Sequence, residues 1–300
     1  HLSRLDSLLP RVRMDLKTKM PLKMDQLLEL ELLLTDAFLL VASHLLNGRL
    51  NPETIDPEWL TTRSEEDLIA ILNSALQKNR IREELNALLP GLSCYETLRN
   101  ELNFFKAIAR SGGWPAVPGG PSLKNGDSGF RVTALSARLI TSGDMPDRTL
   151  ENRSVFDDTL EMAVRRFQKR QGILDDGEVG PGTIKLLDKP VLDYVHKIAV
   201  NMERWRWLPQ DLGKRYILVN IASYTMDVVE NGVTIMTMPV VVGKRYRRTP
   251  VFSGNMTYLV LNPYWYVPET IMAEDILPQA KKNPDFLIQR NIEIVRNWND

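Results

Sequence analysis

The chain has 300 residues, enough for about two domains that each bury a core of their own. Its hydrophobic fraction of 43% and charged fraction of 25% are those of an ordinary globular protein and exclude wholesale disorder. The 38 Lys and Arg residues equal the 38 Asp and Glu residues in number, so the composition disfavours a dedicated nucleic-acid binder, which normally carries a basic excess.

The cysteine and histidine content limits the chemistry of this chain. The single cysteine, Cys94, excludes an intramolecular disulfide framework and any multi-cysteine metal cluster. The histidines at positions 1, 44 and 196 show no metal-ligand spacing, so neither a metal nor another cofactor is expected. Cys94 has no histidine near it in sequence, and it is interpreted as a small, partly buried core residue.

The first third of the chain, residues 1–111, is predicted to be helical. The leucine-rich run from Leu27 to Val41 predicts a helix that is buried on most sides and stops at Gly48. Its charged residues make it unsuited to span a bilayer. A second helix is expected from near Ser64 to Pro90, and a third from Ser93.

A glycine- and proline-rich stretch at 111–127 is the clearest domain boundary, because eight of its 17 residues are Gly or Pro. A small helical unit is expected to follow at 128–188. Its helices are predicted near 131–140 and 158–171, with a turn and a short helix after them. Asp175-Asp176-Gly177 lacks the calcium-loop register and is read as a tight turn.

A helix from Val191 to Arg204 is predicted to lead into a β region. Alternating residues at 216–221 predict one strand. Asn231-Gly232 between the runs 224–229 and 233–238 predicts a hairpin. Further strands are expected at 240–243 and 257–261, with helical or irregular structure from Ile271 onward.

Two arginine-rich patches are the candidates for nucleic-acid contact. The run at 244–248 is more simply a solvated loop, and Arg204-Trp205-Arg206-Trp207 is expected to pack its tryptophans between two domains. Neutral total charge argues against a broad basic surface, so no nucleic-acid partner is predicted.

An aromatic segment contains Tyr264, Trp265 and Tyr266 between Pro263 and Pro268. The two prolines predict a rigid, extended backbone. Exposed rings there would line a groove for a peptide or a sugar, whereas packing of the same rings in a core is an equally good interpretation. We take these three aromatic residues as the candidate substrate-binding residues.

A motif in the small helical unit resembles the type 1 peptidoglycan-binding domain. The matching residues are Gly126-Asp127-Ser128-Gly129 with Val132, Leu135 and Leu139, then Ala163-Val164-Arg165-Arg166-Phe167-Gln168, Gly172, Asp176-Gly177, Val179-Gly180-Pro181 and Thr183. The sequence departs from the family at Leu135-Ser136 and in the long loop 141–158.

The β region resembles the start of an L,D-transpeptidase catalytic domain of the YkuD type. The matching residues are Ile217-Leu218-Val219-Asn220, Asn231-Gly232, Val241-Val242-Gly243 and Thr249-Pro250. The order of the segments is similar to that of the large L,D-transpeptidases of Gram-negative bacteria.

The resemblance implies a peptidoglycan L,D-transpeptidase. Enzymes of this family attack a tetrapeptide stem with a cysteine thiolate and form 3–3 cross-links through a thioester acyl-enzyme. The family's signature, a His followed by Ser/Thr-His-Gly-Cys, does not occur in these 300 residues. The chain is therefore expected to end before its active site and to be inactive alone, and no catalytic residue is assigned.

The fold expected from the sequence and the resemblance is a multi-domain α+β protein. Its segments are a helical scaffold domain at 1–123, a three-helix peptidoglycan-binding-like domain at 124–189, a connecting helix and linker at 190–214, the N-terminal part of a mainly-β catalytic domain at 215–270, and the start of an inserted capping segment at 271–300.

The partners that the resemblance implies are peptidoglycan stem peptides, carbapenem inhibitors and other cell-wall synthesis proteins. It also implies a periplasmic location, with membrane attachment only through an N-terminal anchor outside this sequence. The alternative from a different class is a non-catalytic peptidoglycan-binding or scaffolding protein.

Overall fold

A computed structural model of the chain describes residues 2–18, 23–57, 59–61, 64–147, 151–244 and 246–295. It consists of two compact units, His1–Ser253 and Gly254–Asp300. The described residues form helices and a small antiparallel sheet, so the α+β fold class is confirmed.

The N-terminal part of the first unit is helical, as predicted. Its elements are α1 (Leu2–Thr18), α2 (Met24–Asn47), α3 (Pro52–Ile55), β1 (Trp59–Leu60), α4 (Leu68–Lys78), α5 (Ile81–Ala87) and α6 (Ser93–Arg110). Helix α2 ends at Gly48, whose φ of 78° suits a residue without a Cβ. The core of this part lies where α1, α4 and α5 pack against α2.

Two expectations about these helices are wrong. Only one side of α2 is buried: Leu30 and Leu33 face the core, whereas Leu28 and Leu32 are 63% and 65% exposed, because the packed helices cover a single face. The helix expected from Ser64 is two helices, α4 and α5, separated where Asn79 adopts a left-handed conformation.

The small helical unit forms its own core. It consists of α7 (Phe130–Thr141), a 3-10 turn (Glu151–Ser154), α8 (Asp158–Gln171) and α9 (Pro181–Leu187). Apolar stripes on α7 and α8 meet around Phe156, and the residues of this core are Val117, Leu123, Val132, Leu135, Leu139, Met145, Phe156, Leu160, Ala163, Val164, Phe167, Val179 and Leu187. The predicted helices are confirmed.

Helix α10 (Val191–Trp205) leads to a three-stranded antiparallel sheet of β2 (Arg215–Asn220), β3 (Thr225–Glu230) and β4 (Val233–Pro239) in that order. Asn231 and Gly232 have φ values of 50° and 78° and form the turn between β3 and β4, so the predicted hairpin is confirmed.

A strand that was not predicted joins distant parts of the first unit. Strand β5 (Val251–Phe252) pairs in parallel with β1, with Trp59 opposite Val251. The strands expected at 240–243 and 257–261 are absent from the described residues there. Residues that favour strands remain irregular when no neighbouring strand accepts their backbone hydrogen bonds.

The second unit is irregular up to Val267 and then helical. It contains α11 (Glu269–Ile271), a π-helical turn (Met272–Ile276), α12 (Leu277–Lys282) and α13 (Phe286–Gln289). The expectation of helical or irregular structure from Ile271 is confirmed over the described residues.

Candidate functional site

The Asp-Gly turn in front of α9 is organised by one side chain of α8, Gln168, which is 1% exposed. Its Oε1 accepts a hydrogen bond from the Gly177 amide at 2.9 Å, and its Nε2 donates to Asp176 Oδ1 and to the Glu178 carbonyl at 2.8 Å each. A Cβ on Gly177 would lie 2.8 Å from Cγ of Glu161. Several residues of the family motif therefore build this turn, a role that sequence reasoning did not give them.

Asp176 supplies a fixed negative charge at the turn. The Glu178 backbone amide and the Gln168 side chain both donate to its carboxylate. These hydrogen bonds hold the pKa of Asp176 below its usual range, so it is ionised at neutral pH.

Two grooves border α9. The first has a volume of about 550 Å³ and is lined by Gly119, Gly120, Pro181, Ile184, Lys185, Asp188, Lys189 and Pro190. The second has a volume of about 300 Å³ and is lined by Gln168, Ile173, Leu174, Asp176, Glu178, Gly180, Gly182 and Thr183. The first groove carries two lysine ammonium groups and the Asp188 carboxylate, whereas the second carries the carboxylates of Asp176 and Glu178.

A buried arginine, Arg138, links the chain segment that precedes the small helical unit to the segment that ends it. Arg138 is 1% exposed, its guanidinium carbon lies 3.6 Å from the Trp114 ring centroid, and its Nε donates to the Leu187 carbonyl at 3.0 Å. Burial lowers the pKa of Arg138 to about 10, which leaves it cationic at neutral pH. Trp114 Nε1 donates to the Lys189 carbonyl at 3.0 Å. The lone tryptophan in the Gly- and Pro-rich boundary was the signal that sequence reasoning passed over.

The three candidate substrate-binding aromatics lie in the irregular part of the second unit. Tyr264, Trp265 and Tyr266 are 83%, 64% and 55% exposed. Their exposure does not fit the interpretation in which they pack in a core of that unit. Their contact with substrate stays a prediction.

Cys94 is not a core residue, contrary to expectation. It is the second residue of α6 and is exposed, because its neighbour Tyr95 takes the buried position at 2% exposure. Partial burial nevertheless raises the pKa of the Cys94 thiol. A raised pKa favours the thiol over the thiolate, the opposite of what an activated nucleophile requires.

Residues of the Arg-Trp patch at 204–207 make contacts inside the protein. Trp207 is 6% exposed and meets Trp59 edge-to-face at 5.1 Å between ring centroids, so it is packed inside the protein, and its place between two domains stays a prediction. Arg206 Nε donates to the Tyr95 hydroxyl at 3.0 Å. In the basic run, Arg248 lies 3.8 Å from Asp56 on an exposed loop. Arg245 lies outside the described residues.

The described residues form neither a metal-binding group nor a membrane-spanning helix. In the ranges given above, no three His, Cys, Asp or Glu side chains are grouped so that they could hold a metal ion. No helix in the same ranges has both the length and the apolar character needed to cross a membrane.

Comparison with protein families identifies three segments of this chain. Residues 4–102 match the model of a "Scaffold domain", residues 128–187 that of a "Putative peptidoglycan binding domain", and residues 214–299 that of the "L,D-transpeptidase catalytic domain". The resemblance inferred from the motifs is therefore confirmed for both the helical unit and the β region.

A curated relative agrees with these matches. The chain is 36% identical over 101 residues to a protein of Haemophilus influenzae named "Putative L,D-transpeptidase". The aligned segment is 34% of this chain and 20% of the relative, so the chain spans about a fifth of that protein.

Proposed function

We propose that this protein is a peptidoglycan L,D-transpeptidase that forms 3–3 cross-links between stem peptides. The observation that carries the proposal is the match of residues 214–299 to the L,D-transpeptidase catalytic domain, within which β2, β3 and β4 form a sheet. The peptidoglycan-binding match at 128–187 supports the same substrate.

The proposed chemistry is acyl transfer through a cysteine. A thiolate adds to the carbonyl carbon before the terminal D-alanine of a tetrapeptide stem, the C–N bond breaks, and the D-alanine amine leaves with a proton. An amine of a neighbouring stem then attacks the thioester, forms the new amide and releases the thiolate.

The nucleophile of this proposal is not Cys94. Its thiol has a raised pKa and it belongs to the segment that matches the scaffold domain, outside the catalytic match. The sequence contains no other cysteine, so the nucleophile is proposed to belong to a part of the protein beyond these 300 residues. Intact mass spectrometry after incubation with a carbapenem tests this assignment. We expect no adduct on this chain, and an adduct that disappears in Cys94→Ser would overturn it.

Muropeptide analysis tests the transpeptidase activity itself. Cells that overproduce the natural protein are expected to gain stem-peptide dimers with 3–3 links. An unchanged fraction of these dimers, at a protein level verified by blotting, would contradict the proposed reaction. The activity also implies a periplasmic location, where peptidoglycan lies; other cell-wall synthesis proteins would be partners there.

Tyr264, Trp265 and Tyr266 are proposed to contact the stem peptide. Their exposed rings lie in an irregular segment between Pro263 and Pro268, and the fixed backbone angle of proline favours a preformed surface there. Trp265→Ala is expected to weaken binding of a soluble tetrapeptide stem in calorimetry. Tyr246→Ala, which removes an exposed ring outside the segment, is the matched control.

The second candidate function is peptidoglycan binding without catalysis. The small helical unit that matches the peptidoglycan-binding model, called the peptidoglycan-binding unit below, has a complete core and is bordered by two grooves. Sedimentation with purified sacculi tests binding. We expect the chain to sediment with sacculi and Lys185→Glu/Lys189→Glu to weaken this several-fold, while Lys169→Glu on α8 does not. Equal sedimentation of both variants would exclude the first groove as the binding surface.

A further inference from the structure

Helix α10 lies between two of the matched segments, and its first half contacts both the scaffold and the peptidoglycan-binding unit. Val191 and Val195 pack against Phe105 and Ile108 of α6 in one buried cluster. Tyr194 stacks on Phe105 at 5.5 Å between ring centroids, and its hydroxyl donates to Gln171 Oε1 of α8 at 3.2 Å. The start of α10 is thus fixed to both the scaffold and the peptidoglycan-binding unit.

The end of α10 is fixed to the scaffold by a set of polar contacts. Glu203 accepts hydrogen bonds from the backbone amides of Arg49 and Leu50, the second at 3.0 Å, just after the end of α2. Its other oxygen lies 3.2 Å from Arg206 Nη1. The side chain of Glu203 is only 14% exposed, so this carboxylate is held with little solvent screening.

The residues just after α10 continue these contacts. The Trp207 carbonyl accepts from Thr61 Oγ1 at 2.7 Å, and Thr61 in turn accepts from Trp59 Nε1 at 2.7 Å. Gln210 donates to the carbonyls of Leu46 and Leu88 at 3.3 and 2.6 Å, at the ends of α2 and α5. We call the segment Glu203–Gln210 the joint.

The catalytic segment begins four residues after the joint and is fixed to the scaffold a second time. Strand β5 pairs in parallel with β1 through Trp59 and Leu60, and Trp59 is the residue that packs on Trp207. The scaffold therefore contacts the chain both before β2, at the joint, and after β4, at β5 of the catalytic segment.

We propose that α10 and the joint form a fixed arm that holds the sheet β2–β4 at a set distance from the peptidoglycan-binding unit. The arm spans about 22 Å, the length of a 15-residue helix, and the scaffold stiffens it along α6 and at the joint. Glu203 and Gln210 are its positioning residues. That the arm presents wall polymer to the catalytic domain at a defined place rests on the proposed function.

A spin-label distance measurement tests the arm. In a Cys94→Ser background, labels at Lys169→Cys on α8 and Thr234→Cys on β4 report the distance between the unit and the sheet; both positions are exposed. We expect one narrow distance distribution. Glu203→Ala and Gln210→Ala are expected to broaden it at least twofold, whereas Glu29→Gln, which alters an ion pair with Arg4 near the start of α2, leaves it unchanged.

Circular dichroism first establishes which variants fold. If Glu203→Ala does not fold, Gln210→Ala decides alone. A broad distribution of the label-to-label distance in the chain with an unsubstituted joint would overturn the proposal of a fixed arm. An unchanged width of this distribution in every folded joint variant would overturn it as well. The measurement uses no wall polymer, so an unchanged fraction of 3–3 dimers in the muropeptide analysis would contradict the proposed function and leave the arm standing.

Discussion

Replacing Gln168 by Ala should loosen the turn that leads into α9. The substitution leaves the buried Gly177 amide without its acceptor and removes the donor to the Glu178 carbonyl. One buried amide left unpaired costs about 1–3 kcal/mol, and the void left by the missing side-chain atoms adds to it. We therefore expect the local free energy of opening to fall by about 3 kcal/mol.

Hydrogen exchange followed by mass spectrometry measures this change on the intact chain. A loss of about 3 kcal/mol accelerates exchange of the turn amides about 100-fold. Gln77→Ala on α4 is the matched control, because that glutamine is exposed and its loss should leave the turn unaffected. Protection within threefold of the unsubstituted chain would refute the central role given to Gln168.

Gln168→Glu tests the loss of the side-chain amide group without a change in side-chain volume. The carboxylate keeps an acceptor for Gly177 but places a second negative charge beside Asp176, 2.8 Å from the present amide nitrogen. We expect faster exchange than in the unsubstituted chain at neutral pH and partial recovery in mild acid, where one carboxylate takes up a proton. An exchange rate independent of pH would contradict this reasoning.

Three further outcomes are expected. Gly48→Ala should lower the melting temperature, since a Cβ there would lie 2.6 Å from Glu203 Oε1 at a φ of 78°, whereas Gly91→Ala, with nothing within 4 Å, should not. Because its folded pKa is lowered, Asp176 stabilises the fold above its unfolded pKa and loses that contribution as the pH falls through the folded value; Asp176→Asn should flatten acid melting in that range. Cys94 should react with iodoacetamide more slowly than glutathione at pH 7, owing to its raised pKa; faster reaction would contradict that direction.

The sequence predicted best what is encoded locally. Helix α8 carries an apolar stripe and a glycine just after its last residue, and the hairpin carries Asn231-Gly232, so both follow from neighbouring residues. The pairing of β1 with β5 could not be predicted from neighbouring residues, because the two strands lie nearly two hundred positions apart. Each strand has only two residues, too few to show an alternating hydrophobic pattern. Burial of α2 was overestimated because leucine content does not reveal how many helices will cover it.

The sequence identified the peptidoglycan-binding unit, whereas the contacts inside that unit were not predictable from it. Motif residues identified the peptidoglycan-binding unit, but Gln168 and Gly177 are used to shape a turn, and this becomes visible only when the partners of their polar atoms are known. Arg138 reads as an ordinary helical cation in sequence, and only packing shows it buried beneath Trp114.

The hydrogen bond from Trp114 to the Lys189 carbonyl brings together the two points where the chain enters and leaves the peptidoglycan-binding unit. Topologically the unit is an insertion between α6 and α10, and insertions whose ends meet are readily gained, exchanged or lost. Replacing residues 115–189 by a short Gly-Ser loop, which keeps Trp114 in the cluster shared by α6 and α10, should leave these helices packed. Protection of their amides from hydrogen exchange measures this packing, and loss of that protection would mean that the insertion is structurally required. The inserted unit is thus separable from the helical frame, because its removal or exchange would not reroute the chain between α6 and α10.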